Sequence, residues 1–263
     1  MTAVLPTAPS CPAPSSVQAA AHVARVDGRL TWASRPPLVL RRTGPDRVHL
    51  VQVGGGPLGG DRLALDVELG AGERLTVRTA AATVVQPGRD RAAGASFRVR
   101  ARVAAGAALT WTPEPTVVTD GGDWHADLAL DLAEGARAVV AEHLVLGRSG
   151  QQGGRCRSDL RVTVAGRPLL VTSTRLDGAD PVLGGPGGTG GARSVATLLV
   201  AGPGEPPDGA GEDDRVTWAW TSLDGPGALF TAVGDVRATA AALAAAVAAA
   251  RGEPCRRRGA AGS

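Results

Sequence analysis

A strand-turn-strand unit recurs four times in the sequence, at intervals of about thirty residues. The turns centre on Gly72, Gly106, Gly135 and Gly166, so successive turn glycines are 34, 29 and 31 positions apart. The flanking runs, such as residues 63–69, alternate apolar and polar side chains as β-strands do. A unit of this size cannot bury its apolar face alone, so copies must stack on one another. The repeat predicts a mainly β fold of layered, β-solenoid-like sheets, built from stacked hairpins or from solenoid coils; an ordinary β-sandwich is the alternative.

The glycine-rich stretch GGGPLGGD, residues 54–61, joins two strand-like runs. Gly54, Gly56 and Gly59 match the spacing of a dinucleotide-binding loop, but that loop must open a helix whose N-terminus holds the phosphates. Here the exit segment alternates with period two, and no Lys-Ser/Thr pair follows the last glycine. The stretch is therefore predicted to be a tight connection between strands, with no nucleotide site.

Composition shifts divide the chain into three parts. Residues 1–20 are rich in Pro, Ser and Ala and are predicted to be a disordered leader. Residues 21–251 carry the β pattern and are predicted to form a single domain. Residues 252–263 form an Arg/Gly-rich tail that is also predicted to be disordered.

Turn chemistry predicts several elements within this domain. Asp27-Gly28 is a hairpin signal, and residues 178–193 and 201–214 are predicted loops. Strands are expected at 194–200 and at 215–222, the latter with Trp218 and Trp220 on one face. The Ala-rich run 235–251 is the one predicted helix, with Asp235 at its start and Gly252 beyond its end; Leu243 and Val247 should dock it on a sheet.

Composition and charge argue against nucleic-acid and membrane partners. The net charge is only +3, the arginines are scattered, and the single basic run, residues 256–258, lies in the tail. No apolar run approaches the length of a membrane helix, and the N-terminus lacks the basic start and apolar run of a signal peptide. Three cysteines, Cys11, Cys156 and Cys255, are too few and too far apart for a disulfide framework. We therefore expect a cytoplasmic protein with reduced thiols.

No catalytic or metal-binding motif is visible. The histidines lie in four separate segments, and each is interpreted as structural or surface-exposed: His22, His49, His125 and His143. Most carboxylates fall on alternating strands, where the solvent face is the ordinary position. Glu142 differs because it lies inside the apolar run VVAEHLVL, so it is expected to be paired, metal-facing or shifted in pKa. The residues alone indicate a non-catalytic β protein.

Several motifs in order resemble the family of the urease accessory protein UreD, also called UreH. The glycine loop is similar to the family's GGLxGGDxL through Gly55, Gly56, Gly59, Gly60 and Asp61. Residues 79–84 match its TxAATxV step, 111–117 (WTPEPTV) its WxPQExI, and 142–148 (EHLVLGR) its ExxxLGR. The similarity spans about residues 22–251.

The resemblance implies a scaffold without catalytic turnover that acts in urease maturation. Members of this family bind the urease apoprotein and a UreF partner, which recruits the GTPase UreG, and they help to pass nickel to the urease active site. No permanently bound cofactor is implied, only nickel in transit. Of the positions that match family motifs, Asp61 and Glu142 are the expected carboxylates of such a path, although Asp61 capping its own turn and Glu142 paired with an arginine stay open. Alternatives are a β-rich ligand-binding module and a β-solenoid hydrolase.

Overall fold

The structure is a computed structural model and describes residues 17–90, 92–205 and 207–252. Within these ranges the chain forms eighteen β-strands and one α-helix. Their bounds, in chain order, are β1 Gln18–Val26, β2 Arg29–Ser34, β3 Leu38–Gly44, β4 Arg47–Gln52, β5 Arg62–Leu69, β6 Arg74–Thr79, β7 Thr83–Val85, β8 Ala95–Val103, β9 Ala108–Trp111, β10 Thr116–Val118, β11 Asp123–Leu132, β12 Arg137–Leu146, β13 Arg155–Val164, β14 Arg167–Asp177, β15 Ser194–Ala201, β16 Ala210–Glu212, β17 Val216–Ser222, β18 Gly227–Gly234 and α1 Val236–Ala250.

Two sheets pack face to face. The seven-stranded sheet has the order β14-β13-β11-β8-β5-β1-β2. The eleven-stranded sheet runs β16-β17-β18-β15-β12-β9-β6-β4-β3, and of its two short strands β10 pairs with β12 and β7 pairs with β10. Alternate residues of both sheets point inward and form one continuous apolar core, for example Leu65 and Val99 from one sheet and Val77 and Leu109 from the other. The predicted period-two alternation thus places apolar side chains in the core and polar side chains on the solvent face.

The central part of the fold is a stack of β-coils. The chain passes from one sheet to the other and back, and each strand pairs in parallel with the strand one coil earlier. In the seven-stranded sheet Leu65 lies beside Val99, Val99 beside Leu128, and Leu128 beside Leu160. This register confirms the predicted solenoid-like, mainly β fold.

The turn glycines stack with the coils. Gly72, Gly106 and Gly135 adopt φ values of 70°, 67° and 73°, in the left-handed region that a glycine occupies without strain. A Cβ at Gly106 would lie 3.9 Å from Gly72 Cα, and one at Gly135 would lie 3.9 Å from Gly106 N, so the three turns lie directly over one another.

The fourth repeat forms a hairpin, whereas the earlier repeats form coils. β13 and β14 pair antiparallel in the same sheet, so the turn at Gly166 closes a hairpin. Ala165 and Gly166 both have positive φ, 48° and 73°, and a two-residue turn of this kind returns the chain alongside itself. The Asp27-Gly28 hairpin between β1 and β2 has the same local form and was predicted correctly.

Two predicted boundaries also need correction. β1 begins at Gln18, inside the segment predicted as leader, because its residues continue the parallel ladder with β5 from Gln18 onward. A short strand, β16, lies inside the predicted loop 201–214 and pairs with β17. Residues 1–16 and 253–263, which include Cys11, Cys255 and the basic run 256–258, lie outside the described residues.

The predicted helix forms and covers the outer face of the eleven-stranded sheet. The Asp235 side chain accepts a hydrogen bond from Ala238 N at 2.7 Å and caps the N-terminus, while Arg251 is the C-cap. Leu243 and Val247 pack on a second apolar cluster with Phe230, and Trp218 and Trp220 share that face as expected.

A buried polar cluster joins this helix to the sheet. His143 Nε2 lies 2.7 Å from Ser194 Oγ and 3.1 Å from Thr239 Oγ1, and the two hydroxyls are 2.7 Å apart. All three side chains are buried. Burial lowers the pKa of His143 to about 4, so the ring stays neutral near pH 7.

Replacing Thr239 with valine should weaken this attachment. Thr239→Val keeps the side-chain shape but removes the hydroxyl, so we expect about 1–2 kcal/mol of destabilisation in urea unfolding. Thr217→Val, on an exposed position of β17, should stay within roughly 0.5 kcal/mol of the wild type. Equal effects of the two substitutions would contradict a structural role for the cluster.

Candidate functional site

The glycine loop needs glycine for close packing of its backbone. Gly59 N donates to Gln86 O at 3.0 Å and Gly60 N donates to Gly94 O at 3.1 Å, so the loop lies against residues 86–94. At Gly59 a Cβ would overlap backbone atoms of Gly88 and Ala93. Because β5 follows the loop, no helix N-terminus faces it, and the prediction of a strand connection is confirmed.

Asp61 holds the loop closed. Its Oδ2 accepts a hydrogen bond from Leu58 N at 2.9 Å, and its Oδ1 accepts one from Val17 N at 3.0 Å. The residue is 8% exposed. Both carboxylate oxygens are thus used to cap a turn and to fix the start of β1, which is the structural role that the sequence had left open.

Two glycines of this loop should respond differently to alanine. Gly59→Ala places a Cβ against backbone that cannot move aside, so we expect a loss of roughly 2–4 kcal/mol in the free energy of unfolding. Gly55→Ala is the matched control, since a Cβ there meets nothing within 4 Å. Denaturant titrations of the two variants give the comparison. A Gly59→Ala protein as stable as Gly55→Ala would contradict the packing role.

The eleven-stranded sheet is interrupted in two successive coils, at the TxAATxV and WTPEPTV motifs. Residues 80–82 separate β6 from β7, and residues 112–115 separate β9 from β10. On the next coil β12 runs without a break: its Val140 pairs with Trp111, its Leu144 pairs with Thr116, and Glu142 lies between them. Glu142 therefore lies at the level of the interruption, between the residues of β12 that pair with β9 and those that pair with β10.

Two adjoining spaces result. We call the first the carboxylate cavity; it measures about 40 Å³ and is lined by Glu142, Glu114, Trp111, Thr79 and Thr83, among others. The second, the loop cleft, measures about 500 Å³ and is bounded by Gly54–Gly56, Ala80–Ala82 and Arg148. Thr79, Thr83, Phe97 and Trp124 line both spaces, so the two lie side by side.

Glu142 points between the sheets. Its neighbours Val140 and Leu144 belong to the inter-sheet core, whereas Val139 and Ala141 face the helix. Ser158 Oγ, from β13 on the opposite sheet, donates a hydrogen bond to Glu142 Oε1 at 2.8 Å. Burial raises the pKa of Glu142 to about 7, and the Ser158 hydrogen bond opposes that rise only in part.

The predicted arginine partner of Glu142 is not found among the residues that the structure describes. Among the described residues no cation forms an ion pair with this carboxylate, and its hydrogen-bond partner is the Ser158 hydroxyl. Sequence could not reveal Ser158, because the contact crosses from one sheet to the other. The apolar run did indicate correctly that the pKa of Glu142 would be shifted.

Cys156 lies close enough to Glu142 for the carboxylate charge to affect the pKa of its thiol. Burial, together with the negative charges of Glu142 and Asp123, raises the pKa of the Cys156 thiol well above its usual range. The thiol is 4% exposed and stays protonated. Cys156 is therefore an uncharged neighbour of the carboxylate cavity.

Glu114 is a lining residue that the sequence analysis did not single out. Its backbone N–H donates to Thr79 Oγ1 at 2.8 Å, which ties the two strand interruptions together. Its side chain is 43% exposed, and Arg78 Nη2 lies 3.5 Å from Oε1. The two prolines of the motif WTPEPTV already indicated an interruption of the strand, because proline cannot donate a ladder hydrogen bond. The sequence pattern did not show that Glu142 lies beside this motif.

Other acidic side chains occupy the solvent face, as expected. Asp127 contacts Arg100 at 2.7 Å and also pairs with Arg161, while Asp123 lies 2.8 Å from Arg155. His125 lies 2.8 Å from Asp159 on the same face. Within the described ranges no group of three or more His, Cys, Asp or Glu side chains is placed to hold a metal ion. A resident metal centre of that kind is therefore not built from these residues.

The shifted pKa of Glu142 should make stability depend on pH. Because the folded-state pKa is raised above the unfolded value, the native protein binds the extra proton, and stability is lost as pH rises from about 4.5 through about 7. Glu142→Gln removes this loss. Its stability relative to the wild type should therefore be ~2–3 kcal/mol higher at pH 8 than at pH 5. Urea unfolding at both pH values measures it.

Glu68→Gln is the control for the loss of a carboxylate at an exposed position of β5. A Glu142→Gln variant that parallels the wild type across this range would show that Glu142 ionises without penalty.

The fold is a β-solenoid-like stack of parallel coils with a helix on the outer face of one sheet. An inward carboxylate lies in an internal cavity beside two strand interruptions. The family model for the UreD urease accessory protein matches residues 18–261. The chain belongs to the UreD family of urease accessory proteins, and a role in urease maturation follows from this membership.

Named relatives agree with this assignment. The chain is 41% identical over 225 residues to the urease accessory protein UreD of Parafrankia sp. (strain EAN1pec), covering 76% of this chain and 75% of that protein. It is 39% identical over 231 residues to the urease accessory protein UreD of Streptomyces coelicolor, covering 82% and 90% of the two chains. Within residues 17–252, positions 91 and 206 aside, no helix has the length and apolarity needed to cross a membrane.

Proposed function

We propose that this protein is a non-catalytic scaffold that binds the urease apoprotein together with UreF-like and UreG-like accessory proteins and assists nickel delivery in the cytoplasm. Family membership supports the setting. The observation that carries the nickel part is the position of Glu142, a carboxylate that faces an internal cavity and has no cationic partner among the described residues. Nickel is cargo in this proposal, and no permanently bound cofactor is required.

The chemistry of the carboxylate cavity suits a cation in passage. Ni²⁺ accepts carboxylate and hydroxyl oxygen ligands, and a site with few protein ligands holds it weakly. With a pKa of about 7, Glu142 is near half ionised at neutral pH, so an arriving cation has only to displace one proton. Glu114 adds a second carboxylate toward the surface, where its side chain is 43% exposed.

Asp61 fits the path less well than Glu142. Both of its oxygens already accept backbone hydrogen bonds, and it is absent from the linings of the carboxylate cavity and the loop cleft. We retain Asp61 in the proposal as the second carboxylate to be tested, because its charge lies in the loop that borders the cleft.

The partner surface is proposed on the outer side of the eleven-stranded sheet. Helix α1 uses Leu243 and Val247 to dock on this sheet, and its opposite face exposes Ala241 and Ala245. Val236, in the first turn of the helix, is exposed as well. Short side chains permit close approach of another helix. We therefore place part of the UreF-like contact on α1 and the strands beside it.

Neither the carboxylate cavity nor the loop cleft has the form of a glycosidase site. A glycosidase needs paired carboxylates across a groove that admits a sugar ring. The carboxylate cavity holds two carboxylates but measures only about 40 Å³, while the loop cleft, at about 500 Å³, has no carboxylate in its lining.

Nickel loading tests the path directly. Urease matured with Glu142→Gln should contain severalfold less nickel than urease matured with the wild type, while pull-down of the accessory complex stays intact. Asp61→Asn should also lower loading if Asp61 belongs to the path. This change should cost ~1–2 kcal/mol of stability as well, because Asn can accept only one of the two backbone hydrogen bonds.

Glu68→Gln, on the exposed face, is the control and should load nickel normally. Normal nickel content with both Glu142→Gln and Asp61→Asn would remove these residues from the path, and loss of the complex itself would assign them to assembly.

A further inference from the structure

The loop cleft differs in charge from the carboxylate cavity that it adjoins. Its lining is mostly apolar, including Leu38, Leu50, Leu63, Phe97 and Trp124, and contains no Asp or Glu. The one charged residue in the lining is Arg148, at the rim. An apolar space with a single positive charge repels a bare divalent cation and attracts an apolar group that carries an anion.

The guanidinium of Arg148 is available for such an anion. Its backbone is fixed, since Arg148 N donates to Gln151 Oε1 at 2.9 Å and Arg148 O accepts from Arg193 Nη2 at 2.7 Å. The residue is exposed, and within the described residues no side chain pairs with its guanidinium. Arginine recognises carboxylates with two parallel hydrogen bonds.

The walls of the cleft offer backbone hydrogen-bond donors. Gly54, Gly55 and Gly56 form one wall and Ala81 and Ala82 part of another, and the N–H groups of these five residues have no hydrogen-bond partner among the residues that the structure describes. A Cβ at Gly54 or Gly55 would meet open space, so the backbone there is uncovered. Such donors suit the carbonyl groups of an extended peptide, whereas a lipid chain offers them no acceptor.

We propose that the loop cleft binds an extended, apolar peptide segment of a partner protein that carries a carboxylate, as a side chain or a C-terminus, for Arg148. The apolar side chains would fill the cleft over Phe97 and Trp124, and the peptide backbone would meet the Gly54–Gly56 wall. A volume of about 500 Å³ is in the range of pockets that enclose a ligand. This inference does not rest on the nickel proposal, and its test needs neither nickel nor urease.

The probe is a display library of random heptapeptides with free C-termini, panned on the full-length protein. Apolar peptides should be enriched. Synthetic copies should bind the wild type and lose roughly five- to tenfold in affinity to Arg148→Gln. Synthetic copies without any carboxylate, amidated at the C-terminus and with acidic side chains replaced by amides, should not bind. Arg237→Gln, an exposed arginine of α1 outside the cleft, should bind them as the wild type does.

A second variant separates the cleft from the rest of the surface. Ala81→Trp places a bulky side chain on the exposed cleft wall and should abolish binding while thermal unfolding stays unchanged. Absence of enrichment, equal binding of the carboxylate-free copies, or equal binding by Arg148→Gln would overturn the proposal. Concentration-dependent dimerisation that Ala81→Trp abolishes would show that a second copy of this chain occupies the cleft. That result would overturn the proposal as well.

Discussion

The in-register stacking of parallel coils is the constraint on which the rest of the structure depends. Each inward residue of one coil lies beside an inward residue of the next, as Leu65, Val99 and Leu128 do. A slip of one residue would turn every inward side chain of a strand toward solvent. The apolar core therefore fixes the register, and the register fixes where each polar residue on a strand must point.

Glu142 shows what that constraint makes possible. An inward carboxylate in a continuous ladder would be buried among apolar side chains at a large cost. Here two successive coils break their strands at the same level, and the broken strands leave room beside Glu142. The opposite sheet supplies Ser158 as a hydrogen-bond donor, which is enough to hold a carboxylate but leaves its pKa high. The carboxylate cavity thus exists because the same strand is interrupted at the same level in two successive coils.

Local signals of the fold could be predicted from sequence, whereas pairings between distant segments could not. Turn glycines such as Gly72 and Gly106 and the capped helix begun by Asp235 depend on nearby residues, and they were predicted correctly. Gly166 gives the same local signal as Gly72, yet it closes a hairpin, because the outcome depends on which strand the next segment pairs with. The contact of Ser158 with Glu142 and the role of Glu114 depend on the same kind of long-range placement.

The coils also differ in length, and the difference lies outside the ladders. The connection from β7 to β8 covers residues 86–94, whereas the equivalent connection from β10 to β11 covers only residues 119–122, which accounts for the spacings of 34 and 29 between turn glycines. The longer connection packs on the glycine loop through Gly59 and Gly88. Insertions or deletions there can accumulate during evolution without reversing any strand, so the surroundings of the cleft can diversify among relatives while the stack beneath stays the same.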